Sequence, residues 1–219
     1  MVPSFAELAA APDPRLDLIA LALAQEFHSV DAAEALATLD LLGAEVLHAA
    51  EQTSRTPADE VRVCSEVLGV AYGFAGDQDE YDNPDNSMLD LVLTRRRGLP
   101  ILLSIVYVEA ARRAGITLAG IGLPGHFGAA HVGTDPPLLL DPFNGGMQIS
   151  ADVPGALVRP WGAREIAMRM LNNLVGSYAR RGAVAEAIRA ATMRMALPAG
   201  SDERATLQAE LRAMQARLN

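Results

Sequence analysis

The chain has 219 residues, half of them apolar and 21% charged, which is enough apolar material for a packed core and excludes a disordered chain. Its net charge is −9 and every basic residue is arginine, a balance that argues against a nucleic-acid backbone as partner. One cysteine, Cys64, leaves no internal disulfide and no cysteine-based zinc site.

The first 75 residues read as helical. Leu16, Ile19, Ala20, Leu23 and Phe27 recur at helical spacing, and a second helix is expected over 32–50. Thr56-Pro57-Ala58-Asp59 is a helix start, with Thr56 as cap and Pro57 at the first helical position. That helix carries Val61, Cys64, Val67 and Leu68 and runs toward Gly73, which makes Cys64 a small buried hydrophobe. The segment Met1 to Glu7 has no basic region or long apolar stretch, and no apolar run reaches membrane-span length. The expected location is therefore cytoplasmic, without a membrane partner.

An acidic loop follows, with Asp77, Asp79, Glu80, Asp82 and Asp85 around Tyr81. It fails the calcium-loop spacing, because Asp82 stands where the turn glycine belongs and Met88 where the last carboxylate belongs, so no metal is assigned. Asn86 or Ser87 is expected to cap a helix that ends at Arg95-Arg96-Arg97 and is stopped by Gly98. The next helix opens at Pro100 and closes at Arg112-Arg113-Ala114-Gly115. Its first half is apolar on all sides, the mark of a helix buried mid-fold.

After Gly115 the period changes. Short apolar stretches at 116–123, 127–132, 138–143 and 147–149 alternate with Pro124-Gly125, Gly133-Thr134-Asp135-Pro136 and Asn144-Gly145-Gly146, which predicts an antiparallel meander. A buried helix followed by a meander is an α+β layout. From Ala163 the chain is helical again, broken at Gly182 and at Pro198 to Gly200. This tail fits one full tetratricopeptide-like repeat, fewer than the roughly three a solenoid needs, and so reads as helices packed on the core.

The residue types for covalent chemistry gather in three places: the helix opening after Gly98, the corner Pro124-Gly125-His126-Phe127, and Asp141-Pro142-Phe143. A cysteine hydrolase or acyl transferase places its thiol at the N-terminus of a buried helix, where the dipole favours thiolate. A histidine on a neighbouring strand and a carboxylate on the next complete the set. The order of that helix, His126 and Asp141 matches this layout.

The chain resembles the transglutaminase-like superfamily and, within it, the SirB-type bacterial regulatory proteins. The resemblance rests on Tyr81-Asp82-Asn83-Pro84, Asn86-Ser87, Arg97-Gly98-Leu99-Pro100-Ile101 and Tyr107. It continues through Pro124-Gly125-His126-Phe127, Asp141-Pro142-Phe143-Asn144-Gly145-Gly146 and Arg169-Met170-Leu171-Asn172-Asn173-Leu174. It implies a papain-like core over 76–160 between a helical region at 1–75 and a helical, tetratricopeptide-like tail at 161–219. It also implies that the nucleophile position is Pro100, which has no attacking atom, while His126 and Asp141 match the other two positions. The expectation is a non-catalytic regulatory or binding protein with an unknown protein or small-molecule partner and no cofactor. The alternative is an amide hydrolase or acyl transferase using Ser104, about one turn or roughly 6 Å deeper along the helix. A helical serine more often bonds the carbonyl four residues back, and the histidine–carboxylate pair has an equally good reading as a tie between two strands. A metal site from His126, His131 and Asp141 is disfavoured, because residues five apart on a strand face opposite sides.

Overall fold

In the N-terminal helices the sequence supplies its own caps. Ser4 and Glu7 cap each other's backbone N–H groups at the start of α1 (Phe5–Ala10), and Asp31 accepts from Ala33 and Glu34 at the start of α3 (Ala32–Glu51). Between them α2 (Leu16–Gln25) presents Ile19 to Ala24 to the core. Thr56 and Asp59 form the same reciprocal box at α4 (Pro57–Cys64), with Pro57 at the first position as expected. The computed structural model describes residues 2–149 and 158–216; residues 150–157, inside the expected core, lie outside the described residues.

The helix carrying Cys64 does not continue as a regular α-helix. From Ser65 to Ala71 it widens into a π-helix. Val63 is buried in the stripe, whereas Val67 is only half-buried. The cause is a close approach. A Cβ on Gly69 would lie 1.9 Å from the Gly145 carbonyl oxygen, so this helix packs backbone to backbone on the turn that follows Asp141. The Ser65 hydroxyl donates to the Gly146 carbonyl across the same seam.

Two expectations for 86–98 are corrected. Neither Asn86 nor Ser87 caps the helix α5 (Leu89–Arg95); Met88 stands at that position without a side-chain bond. Both residues are buried in a 3-10 turn, Pro84–Ser87, where the Asn86 side chain donates to the Glu80 carbonyl and its own carbonyl accepts from Leu99 N–H. Nor does Gly98 stop the helix. Arg96 takes the left-handed conformation at φ 55°, and its guanidinium donates to the Tyr72 carbonyl and lies over the Tyr72 ring. Arg97 and Gly98 form β2, paired in parallel with β1 (Ala75–Gly76), a ladder too short for periodicity to detect.

Helix α6 (Pro100–Arg113) is the axis of the fold. Every residue from Pro100 to Tyr107 is buried, and the helix packs against α3 on one side and the main sheet on the other. The sheet is the expected meander: β3 (Leu118–Leu123), β4 (His126–His131), β5 (Leu138–Asp141) and β6 (Met147–Ile149), in that spatial order and antiparallel throughout. Phe127, Ala129 and Leu140 join the core with α6, while Ile121, Ala130 and Leu139 form a smaller cluster of their own. Helices α7 (Ala163–Arg180), α8 (Val184–Arg194) and α9 (Ser201–Gln215) follow, with Gly182 at φ 72° between the first two. They dock on the earlier helices: Tyr178 stacks on Phe27 with centroids 5.5 Å apart, and Arg180 pairs with Asp82 of the acidic loop.

Charges also tie the helices together. Asp17 on α2 is fully buried and accepts from Arg15 and from Arg113 of α6, whose guanidinium also reaches Glu109 and Asp40 of α3. No helix among the described residues is long and apolar enough to cross a membrane.

Candidate functional site

His126 opens β4 because Pro124 and Gly125 make the hairpin that reverses β3, with Gly125 at φ 70°. Asp141 closes β5, two strand positions along the sheet from it. The two side chains meet: His126 Nε2 lies 3.0 Å from Asp141 Oδ1, with side-chain exposures of 29% and 14%. Asp141 also accepts from the backbone N–H groups of Phe143 and Asn144 and from the Asn144 amide at 2.7 Å. Burial pushes its carboxyl up, but the hydrogen bonds from His126 and Asn144 outweigh that and hold it below the usual carboxylate range. In the tautomer that donates from Nε2 to the Asp141 carboxylate, Nδ1 is the ring nitrogen that carries the lone pair. That is the orientation a base needs.

Asn144 was not among the expected site residues. Its signal is local: an Asp-Pro-Phe-Asn turn after a strand puts the fourth side chain back on the first carboxylate.

The other candidates make no side-chain hydrogen bond to the pair among the described residues. Pro100 occupies the first helical position of α6. The Ser104 hydroxyl, wholly buried, donates to the Pro100 carbonyl at 2.8 Å. Cys64 is also wholly buried, and desolvation, helped by the nearby Glu60 charge, pushes its thiol up to about 12. The Tyr107 hydroxyl makes no hydrogen bond among the described residues. It is buried and lies beneath Gly146, where a Cβ would come within 2.7 Å. Burial first, then the charges of Cys64 and Asp141, raise its pKa.

Two further histidines pair with carboxylates from distant parts of the chain. His28 meets Asp90 at 2.7 Å and His131 meets Glu60 at 2.9 Å. The carboxylates of the acidic loop turn to arginines and backbone: Asp77 pairs with Arg95 and accepts from Glu80 N–H, and Asp82 pairs with Arg180.

A buried helix opening beside a meander, with a histidine and a carboxylate bonded across adjacent strands, defines the transglutaminase-like class. The chain belongs to the transglutaminase-like superfamily, whose family model matches residues 33–174. It is similar to a UPF0162 protein of Xylella fastidiosa strain 9a5c, with 46% identity over 88 residues, 40% of this chain and 31% of that protein. A UPF0162 protein of Pseudomonas aeruginosa is 38% identical over 92 residues, 42% of this chain and 33% of that one. Mouse F-box only protein 21 is 30% identical over 126 residues, 50% of this chain and 20% of that protein. The chain thus spans about a third or less of the length of these relatives. No solved structure matches it.

Proposed function

We propose that the chain is a non-catalytic, SirB-type member of the superfamily, a regulatory or binding protein of the cytoplasm whose helical tail is a shortened tetratricopeptide-like unit. One observation carries the reading: the position that would hold the nucleophile is Pro100, which offers no proton to take and no atom to attack. His126 and Asp141 keep the geometry of a base without a partner for it. Their role is then to hold a ligand polar group at Nδ1, or to fasten β4 to the turn after β5.

The alternative, an amide hydrolase or acyl transferase using Ser104, meets a chemical obstacle. Its hydroxyl proton is committed to the Pro100 carbonyl, and its depth forgoes the field of the helix N-terminus. Wild type, Ser104→Ala and His126→Ala assayed on a panel of small amides and amine acceptors decide between the two. No turnover by any of them is the expected result. Turnover by wild type that both variants abolish, with the fold intact, overturns the non-catalytic reading. Pro100→Cys is expected to restore a trace of activity at most, because a disused site need not keep its oxyanion donors.

A further inference from the structure

A groove of about 490 Å³ runs between the start of α7 and the start of α9, within the size range of ligand sites. Its lining is mixed: Trp161, Met168 and Pro198 stand among charged and amide side chains, and the Arg159 guanidinium lies over the Trp161 ring, 5.7 Å from its centroid. Trp161 stands edge-on to Phe127 with centroids 5.5 Å apart, and it sits so tightly over Gly122 that a Cβ there would come within 2.3 Å of the indole. An aromatic held this firmly loses little entropy when a ligand packs on it.

The walls are rich in donors. About half of the described arginines meet a carboxylate, as Arg159 does with Glu165 and Arg62 with Glu66, and most of the others donate to backbone carbonyls. Arg169, half-buried at the groove, makes no ion pair or side-chain hydrogen bond among the described residues. Arg164 spends one donor on the Pro12 carbonyl and meets no carboxylate there. Behind the wall Arg194, only 5% exposed, donates to Asn172 Oδ1 at 3.0 Å and lies 2.9 Å from Glu210, while its Nε has no partner among the described residues. With its oxygen taken by Arg194, Asn172 has its NH2 left for a ligand. Among the acids of the groove Glu165 is committed to Arg159 and Gly162, which leaves Glu203 alone on the α9 side.

We propose that this groove binds a short acidic peptide segment, with Arg169 taking a carboxylate and Trp161 the apolar side chain beside it. A guanidinium fork with no internal acid matches a carboxylate in two parallel hydrogen bonds. Glu203 sets the polarity of the rest: it favours a ligand with a single negative charge over a dianion such as phosphate and accepts the N–H groups of a peptide backbone. The site is independent of whether His126 and Asp141 perform any chemistry.

Trp161 is the chain's one tryptophan, so its emission reads occupancy directly. The probe is a pool of acetylated, C-terminally amidated hexapeptides, each with one acidic residue and two large apolar side chains. A saturable emission change is expected, weakened at least tenfold by Arg169→Glu and also weakened by Arg169→Gln. Since Arg169 has no internal partner, both variants should fold as wild type does by circular dichroism. The same pool with lysine in place of its acids, and inorganic phosphate alone, serve as the other arms. Three results overturn the proposal: no saturable change up to millimolar pool, equal binding of the lysine pool, or insensitivity to Arg169→Glu. Phosphate displacing the pool at comparable concentration overturns the peptide assignment in favour of a simple anion site.

Discussion

Asp141 holds one end of the histidine pair and both backbone donors of its own turn, so its charge matters to stability as well as chemistry. Its folded pKa lies below the usual value of 3.8, which fixes the sign: its contribution is full above that unfolded value and is lost as pH falls through the folded one. Asp141→Asn keeps an acceptor oxygen and removes the charge. Urea unfolding should therefore show the variant less stable at pH 7 and the gap narrowing as pH falls below 3.8; a gap that stays constant with pH would show that the charge carries none of it. Cys64 gives a second expectation at this scale. With its thiol near 12 and no exposed surface, it should resist iodoacetamide at pH 8 in the native state and label quickly once unfolded. The turn that presents His126, the turn that follows Asp141 and the helix start at Pro100 were legible from the sequence because their signals are local, whereas the assignment of Pro100 to a nucleophile position rests on the family resemblance. The partners of His28 and His131 were not, since Asp90 and Glu60 lie 62 and 71 residues away in the chain and only packing brings them close.

The elements sort the same way. The box at Thr56 and Asp59 could be read from four residues, and Thr56→Ala is expected to cost about 1 kcal/mol in thermal or denaturant unfolding. The meander could be read as well, because tight turns punctuate it. The short parallel ladder of β1 and β2 could not, since two residues carry no period, nor could the left-handed Arg96, whose conformation is stabilised by a distant tyrosine. Gly69 is the sharpest case. Its need to be glycine comes from the carbonyl of Gly145, 76 residues on, and Gly69→Ala should destabilise the fold by about 1–3 kcal/mol or force the helix off the turn. A variant as stable as wild type would show that the seam between the two backbones is not tight.

Across the whole molecule the helical layers are joined by a buried ion cluster as well as by apolar contact. Asp17 is completely enclosed. Burial raises its pKa, and the bonds from Arg15 and Arg113 more than reverse that, so its folded value is depressed and its support is lost only as pH drops through that lowered value. Asp17→Ala leaves Arg113, itself 10% exposed, short of one of its partners, and a loss of about 2–3 kcal/mol is expected from the charge-assisted hydrogen bonds removed. A loss below about 1 kcal/mol would mean that Glu109 and Asp40 suffice to neutralise Arg113 by themselves. Nothing in the local sequence announced this cluster: Asp17 reads as an ordinary first-turn acid and Arg113 as an ordinary last-turn cation until α2 and α6 are seen side by side.

The π-helical stretch from Ser65 to Ala71 has a bearing on descent as well as on packing. Each of its bonds spans five residues where an α-helix spans four, so the segment takes up extra chain over the same rise. A relative with an ordinary helix there would reach the turn with fewer residues, and its alignment to this chain would show a gap between the cysteine and the tyrosine at 72. Closing that gap here, by deleting one residue, would turn every later side chain of the helix through about 100°. Gly69 would leave the seam and a bulkier neighbour would arrive. The extra residue of the π-helix and the glycine are therefore coupled, and neither is expected to be tolerated without the other.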